Sequence, residues 1–306
     1  MPDISEIAGR KVGDGWQARA PATERAYRSD WEDFSRWCCD YGHKALPALP
    51  GTVCHYLADR ARSLKYSTLR RRLSTISVAH MRAARPFDPR HPAIAEALQA
   101  IAQKPGTAPV RKRPLVLADL RAVVRRIPRD LAGLRDRTML LLGFAGALRV
   151  AELCAVDVEH LQFPAQGVVL FIPRSNGDPV GAGECVAIPR GDTELCPVAA
   201  IEGWLAATRF TDGAVFRSIR RGHRSFGERL TPRSIERIVK KRVALADFDP
   251  AVFSTHSLRS GFIASLTERG LVVIMRGSQP VDVSNIRGSL DAARLFESPG
   301  RKSVKL

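Results

Sequence analysis

Apolar residues recur along most of this chain at helical spacing. Tyr27, Trp31, Phe34 and Cys38 fall at i, i+4, i+7 and i+11 after Thr23, which reads as an N-cap with Glu24 in the first turn. That stripe predicts one amphipathic helix. After Pro47 and Pro50 a second helix is expected through Val53, Tyr56 and Leu57. A third carries Leu69, Leu73, Ile76 and His80 on one face, and a fourth runs from about Pro92 to Lys104. Four short helices in so brief a stretch predict a compact all-α domain over residues 22–104, preceded by a tail of residues 1–21.

The periodicity breaks between Lys104 and Pro114. Pro105, Gly106 and Pro109 stand there beside the cluster Arg111-Lys112-Arg113, so residues 105–114 read as an inter-domain linker. Over residues 115–306 helical spacing resumes at about 117–127 and 134–148. Alternating or β-branched runs at Val156–Phe163, Gly167–Pro173 and Glu184–Ile188 predict a small antiparallel sheet, with Asn176-Gly177-Asp178-Pro179 as a turn. Helices return at about 197–208, at 232–246 and from His256 onward. The expected fold class is mainly α with a small antiparallel β-sheet: a four-helix domain followed by an α+β domain.

Composition supplies a partner. A chain of 306 residues, 45% hydrophobic, can bury two ordinary cores. Its 48 lysines and arginines against 31 acidic residues leave a formal charge of +17, which favours a polyanion through counterion release. Nucleic acid is the leading partner; a basic protein without a particular ligand is the alternative. Six cysteines form no C-x-x-C pair and no zinc spacing with histidine, so they read as reduced, mostly buried thiols. The N-terminus lacks a basic start and an apolar stretch, and the apolar run around Met139–Leu148 is too short to span a bilayer. A cytoplasmic, nucleoid-associated protein without membrane contact is expected.

The candidate chemistry lies in two strings. Arg149 follows an apolar helix in Leu140-Leu141-Leu142-Gly143-Phe144-Ala145-Gly146-Ala147-Leu148-Arg149, where a guanidinium can fork onto two phosphate oxygens with Glu152 orienting it. A helix-terminal arginine merely satisfying carbonyls would read the same. Far downstream, Thr255-His256-Ser257-Leu258-Arg259-Ser260-Gly261-Phe262 places His256 and Arg259 three apart on one helical face. A histidine there can donate to a phosphate oxygen or handle a proton, and the arginine can neutralise charge on phosphorus.

In order and distance these strings resemble the tyrosine recombinase (phage integrase) family. The resemblance implies a SAM-like, four-helix core-binding domain and an integrase-type catalytic domain closing as a C-shaped clamp on double-stranded DNA. It implies that Arg149, His256 and Arg259 grip one phosphate, with no cofactor and no metal. The family's remaining catalytic places are altered. Where family members carry a lysine in the hairpin between the second and third strands, this chain has Asn176, which cannot deliver a proton near neutral pH. The place of a second histidine falls on Pro280, and that of the attacking tyrosine, nine residues on, falls on Ser289. Every tyrosine of the chain lies at or before Tyr66. An alkyl hydroxyl ionises far less readily than a phenol, so the expectation is a family member that binds DNA at recombination-type sites but is catalytically impaired. The alternatives are an active recombinase using Ser289, and a purely DNA-binding transcriptional or architectural protein. Partnership with an active tyrosine recombinase in a homo- or hetero-tetramer on DNA is also implied.

DNA contacts are expected from Lys65, Ser67 and Thr68 at the start of the third helix and from Arg70, Arg71 and Arg72 along it, the last two facing away from its apolar stripe. Arg111, Lys112 and Arg113 of the linker and Arg221 and Arg224 of a basic loop that also holds Arg217 and Arg229 add to them. So do Arg233, Arg237 and Lys240 on the outer face of a helix opened by Thr231-Pro232.

Overall fold

The computed structural model describes residues 21–104, 111–173, 183–220, 225–268, 274–276 and 279–281. The chain divides into two units, Met1–Val110 and Arg111–Leu306. In the first unit the described elements are α1 (Pro21–Asp40), α2 (Pro50–Arg60), α3 (Tyr66–Arg82) and α4 (Pro92–Ala102). The helical stripes meet there in one core containing Phe34, Trp37, Val53, Tyr56, Leu57, Leu69, Ile76 and Ile94. Prolines open α2 and α4 at first-turn positions whose amides need no partner. The same tolerance lets α1 be helical from Pro21, ahead of Thr23, which is therefore not its cap.

His80 is fully buried on α3. Its Nδ1 donates to the Ile76 carbonyl at 2.8 Å and its Nε2 accepts from the Ala48 amide at 2.8 Å, an arrangement that requires the neutral ring. Burial moves its pKa below the usual value of 6.5 in the same direction.

The second unit contains α5 (Leu117–Arg126), α6 (Leu131–Ala145), α7 (Val150–Cys154), β1 (Leu161–Gln162), β2 (Gly167–Ile172), β3 (Glu184–Pro189) and α8 (Pro197–Thr208). It continues through β4 (Arg217–Ile219), β5 (Phe226–Arg229), α9 (Pro232–Ala244), α10 (His256–Glu268), β6 (Ile274–Arg276) and β7 (Gln279–Val281). The fold is mainly α with small antiparallel sheets, as its hydropathy pattern predicts. From Thr138 to Ala145 every residue of α6 is buried, the state of a helix apolar nearly all round. Near its start Asp136 accepts from Arg135 at 2.7 Å and from Arg242 of α9 at 2.6 Å, so a buried ion triad locks two helices together.

Strands β1, β2 and β3 pair antiparallel in that order, with Leu170 opposite Val186 and Val168 opposite Ile188. Three local expectations are corrected. The run Val156–Phe163 yields a strand only at Leu161–Gln162, because the Asp157 amide donates to Nδ1 of His160 and curls Val158–His160 into a 3-10 turn. The basic loop around Arg217 and Arg229 is a hairpin in which those two residues pair across β4 and β5; strands this short show no alternation. The end of the linker belongs to the second unit: the Arg113 amide donates to the Val252 carbonyl at 2.8 Å and the Leu115 amide to that of Ser257 at 2.9 Å. Among the described residues no helix is long and apolar enough to cross a membrane.

Candidate functional site

Arg149 owes its place to the way α6 ends. Past the last turn Ala147 takes φ +46°, the left-handed region that favours glycine. The Ala147 amide then donates to Phe144 and the Leu148 amide reaches back to Gly143 at 3.0 Å, a Schellman-type stop that turns the chain sharply. Arg149 becomes the N-cap residue of α7. Its amide donates to Oε2 of Glu152 at 2.8 Å and its Nη1 to Oε1 of the same carboxylate at 3.1 Å, so Glu152, itself 3% exposed, fixes both ends of the arginine.

Arg259 arrives from 110 residues further along the chain. It is 5% exposed, and its Nη1 donates to the Ala147 carbonyl at 2.6 Å, two residues before Arg149. Helix α10 approaches this closely because Gly261 lies against the Leu115 carbonyl: a Cβ there would sit 2.0 Å from that oxygen. Phe262 meets Phe144 of α6 edge-on, with ring centroids 5.5 Å apart.

Two guanidiniums therefore converge at the end of α6. Burial, then the positive charge of Arg149, pull the pKa of Arg259 below the usual guanidinium range, while Glu152 and Glu184 act against the shift. Arg259 keeps its proton at neutral pH, so the cluster carries two buried or half-buried charges whose desolvation an anion would offset. Glu184, at the start of β3, has no sequence signal of a role; strand register brings it near. His256 stands exposed at the first position of α10. The sequence-predicted trio is thus positioned by α6 and α10 of one unit. Asn176 and Ser289 lie outside the described residues. Pro280 falls in β7, opposite Met275, and is described by backbone alone. No three histidine, cysteine or acidic side chains among the described residues group as a metal site would require.

The expected DNA contacts divide by what their side chains already hold. Lys65 precedes α3 as an N-cap residue that makes no side-chain capping bond; Lys65, Ser67 and Arg70 are exposed and Thr68 half-buried. Arg71, exposed, and Arg72, half-buried, are both already held by carboxylates. Arg71 binds the Asp30 carboxylate through two hydrogen bonds of 2.7 and 3.0 Å. Arg72, with its side chain 12% exposed, points inward to Asp33 and the Tyr56 hydroxyl. The reason is an acidic stripe on α1 that hydropathy alone does not pair with α3. Arg111 is exposed, whereas the Lys112 ammonium donates to the Ala251 carbonyl at 2.5 Å. Arg113 pairs with Asp119 at 2.8 Å and lies over the Phe248 and Phe253 rings. On α9, Arg233 and Arg237 are exposed and Lys240 pairs with Glu236 at 3.3 Å. Arg221 and Arg224 lie outside the described residues.

Residues 118–275 match the model of the phage integrase family. An integrase/recombinase xerD homolog of Selenomonas ruminantium is 36% identical over 290 residues, covering 92% of this chain and 84% of its own. The tyrosine recombinase XerD of Xanthomonas axonopodis pv. citri is 29% identical, with 88% and 87% covered. Among solved structures, a Tn1549 transposon integrase in complex with transposon right end DNA superposes with TM-score 0.58 at 14% identity, covering 83% of each chain. A lambda integrase tetramer bound to a Holliday junction gives 0.54 at 16% identity, over 99% of this chain and 77% of that one. At such identities the structural likeness establishes the fold.

Proposed function

Because the chain belongs to the phage integrase family, the tyrosine recombinases of site-specific recombination, we propose that it binds duplex DNA and grips one backbone phosphate with Arg149, Arg259 and His256. One observation carries this reading: Arg259 donates to the Ala147 carbonyl two residues before Arg149, so the two cations meet on a rigid, buried frame. Such a pair stabilises a phosphate before binding and a five-coordinate phosphorus during transfer. Arg149 forks to two oxygens while Glu152 holds its orientation, and exposed His256 supplies a third donor.

The same reading makes the protein unable to cleave the strand alone. Serine at position 289 and asparagine at position 176 offer neither a phenol nor an ammonium for the attack and the leaving-group proton. A tyrosine-bearing recombinase sharing the DNA could place its nucleophile against this pocket, in an assembly of the kind the lambda integrase tetramer forms on a Holliday junction.

The test uses nicked duplexes from the DNA flanking the gene, mixed with the purified protein alone and with such a recombinase. Binding without a denaturant-resistant adduct is expected for the protein alone. Arg149→Ala should weaken binding about five- to tenfold, the loss of one charged contact of roughly 1–1.5 kcal/mol. An adduct on the protein alone would overturn the non-cleaving reading, and unchanged affinity in Arg149→Ala would overturn the pocket.

A further inference from the structure

The end of α10 that presents His256 is tied to a carboxylate on a different helix. Oε2 of Glu236 on α9 accepts two hydrogen bonds from Thr255, from its amide at 2.8 Å and from its hydroxyl at 2.7 Å. Its other oxygen, Oε1, pairs with the Lys240 ammonium at 3.3 Å. Thr255 is 4% exposed and immediately precedes His256. Ser254 and Ser257 close the same turn: the Ser254 amide donates to the Ser257 hydroxyl and the Ser257 amide to the Ser254 carbonyl, both at 3.0 Å. Helix α9 thus carries two kinds of group. Arg233 and Arg237 face solvent, while Glu236 turns to the first turn of α10.

A carboxylate bonded to the residue before His256 is electrostatically the wrong sign beside a phosphate held by His256 and Arg259. Its presence needs a geometric reason. The two Thr255 donors would otherwise be buried orphans at a helix start, and their bonds to one oxygen fix where the helix begins. We propose that Glu236 is a positioning residue: it sets the first turn of α10, and with it the place of His256, from the basic face of α9. The proposal rests on the phosphate-pocket reading above. Burial raises the Glu236 carboxyl pKa, but the Thr255 bonds and Lys240 outweigh that and hold it below the usual value, so it is ionised at neutral pH.

The two possible roles of Glu236 predict opposite signs, which makes the test decisive. The full-length protein is labelled with 15N-histidine, and the His256 ring signal, assigned by its loss in His256→Ala, is followed as inorganic phosphate is added. If Glu236 positions the site, Glu236→Ala weakens phosphate binding about fivefold. Glu236→Gln, whose amide oxygen still accepts from both Thr255 donors, restores it to within about twofold. Thr255→Val, which keeps the amide and loses the hydroxyl, falls between. If Glu236 acts only as a charge, Glu236→Ala binds phosphate as tightly or more tightly, and the proposal is overturned. Should the wild-type His256 signal not respond to phosphate, the pocket reading fails by itself. Positioning is then judged by amide exchange: Thr255, Ser257 and Leu258 should exchange about tenfold faster in Glu236→Ala and at the native rate in Glu236→Gln. Equal rates in all three proteins would overturn it.

Discussion

At the scale of single residues, charge type did not determine role. Arg70, Arg71 and Arg72 are three consecutive cations on α3, yet Arg71 spans to Asp30 and Arg72 is enclosed by Asp33, Tyr56 and Asp30. The Asp33 carboxyl is pushed up by burial, but hydrogen bonds from Tyr56 and Arg60 and the charge of Arg72 bring it below its ordinary 3.8. Removing Arg72 leaves that carboxylate and the phenol short of a donor. Arg72→Ala should destabilise the protein by about 2 kcal/mol in urea unfolding, a loss typical of a part-buried charged hydrogen bond. Arg70→Ala, at an exposed position, should leave stability within about 0.5 kcal/mol and reduce DNA affinity instead. The three- and four-residue spacing of apolar residues on α3 reveals which face is inward. It does not reveal that Asp30 and Asp33 of α1 stand opposite the arginines, because ion pairing between helices has no period in either sequence.

At the scale of elements, the candidate site depends on how α10 enters the unit. It enters with Gly261 against the backbone of Leu115, and the Leu115 amide in turn donates to the Ser257 carbonyl. Gly261→Ala places a methyl group against the carbonyl oxygen of Leu115, a residue whose amide is bonded to α10. We expect a loss of about 2–3 kcal/mol in stability, an overpacking cost at the upper end of the usual range, with His256 and Arg259 displaced together. Urea unfolding checks the first expectation, and the phosphate response of His256 the second. The strings containing Arg149, His256 and Arg259 were legible because each follows or begins a helix whose spacing is plain. The ties that make a site of them were not: the Ala147 carbonyl, Glu184 and Glu236 are joined to it only by helix crossing and strand register.

At the scale of the whole molecule, the charge of +17 acts through the cations not already committed to carboxylates or carbonyls. Binding should therefore weaken steeply with salt, by about 0.9 in log affinity per log salt for each phosphate neutralised. Arg237, exposed on α9, and Arg113, paired with Asp119 and stacked on two phenylalanines, separate the two classes. Arg237→Ala should lower the salt slope by about one, whereas Arg113→Ala should leave it unchanged and reduce stability. Fluorescence anisotropy of a labelled duplex over a salt series distinguishes them.

By itself the sequence determined the helices, the antiparallel sheet and the family, and it singled out Arg149, His256 and Arg259 as candidates. Each of these is written locally, in the period of apolar residues or in a short string. Only the tertiary structure decided which of the described cations are already paired, that Arg259 donates to the Ala147 carbonyl two residues before Arg149, and that a carboxylate of α9 accepts from Thr255 at the start of α10. Those outcomes depend on distances between residues far apart in the chain. They follow from the close packing of whole elements, which local patterns do not encode.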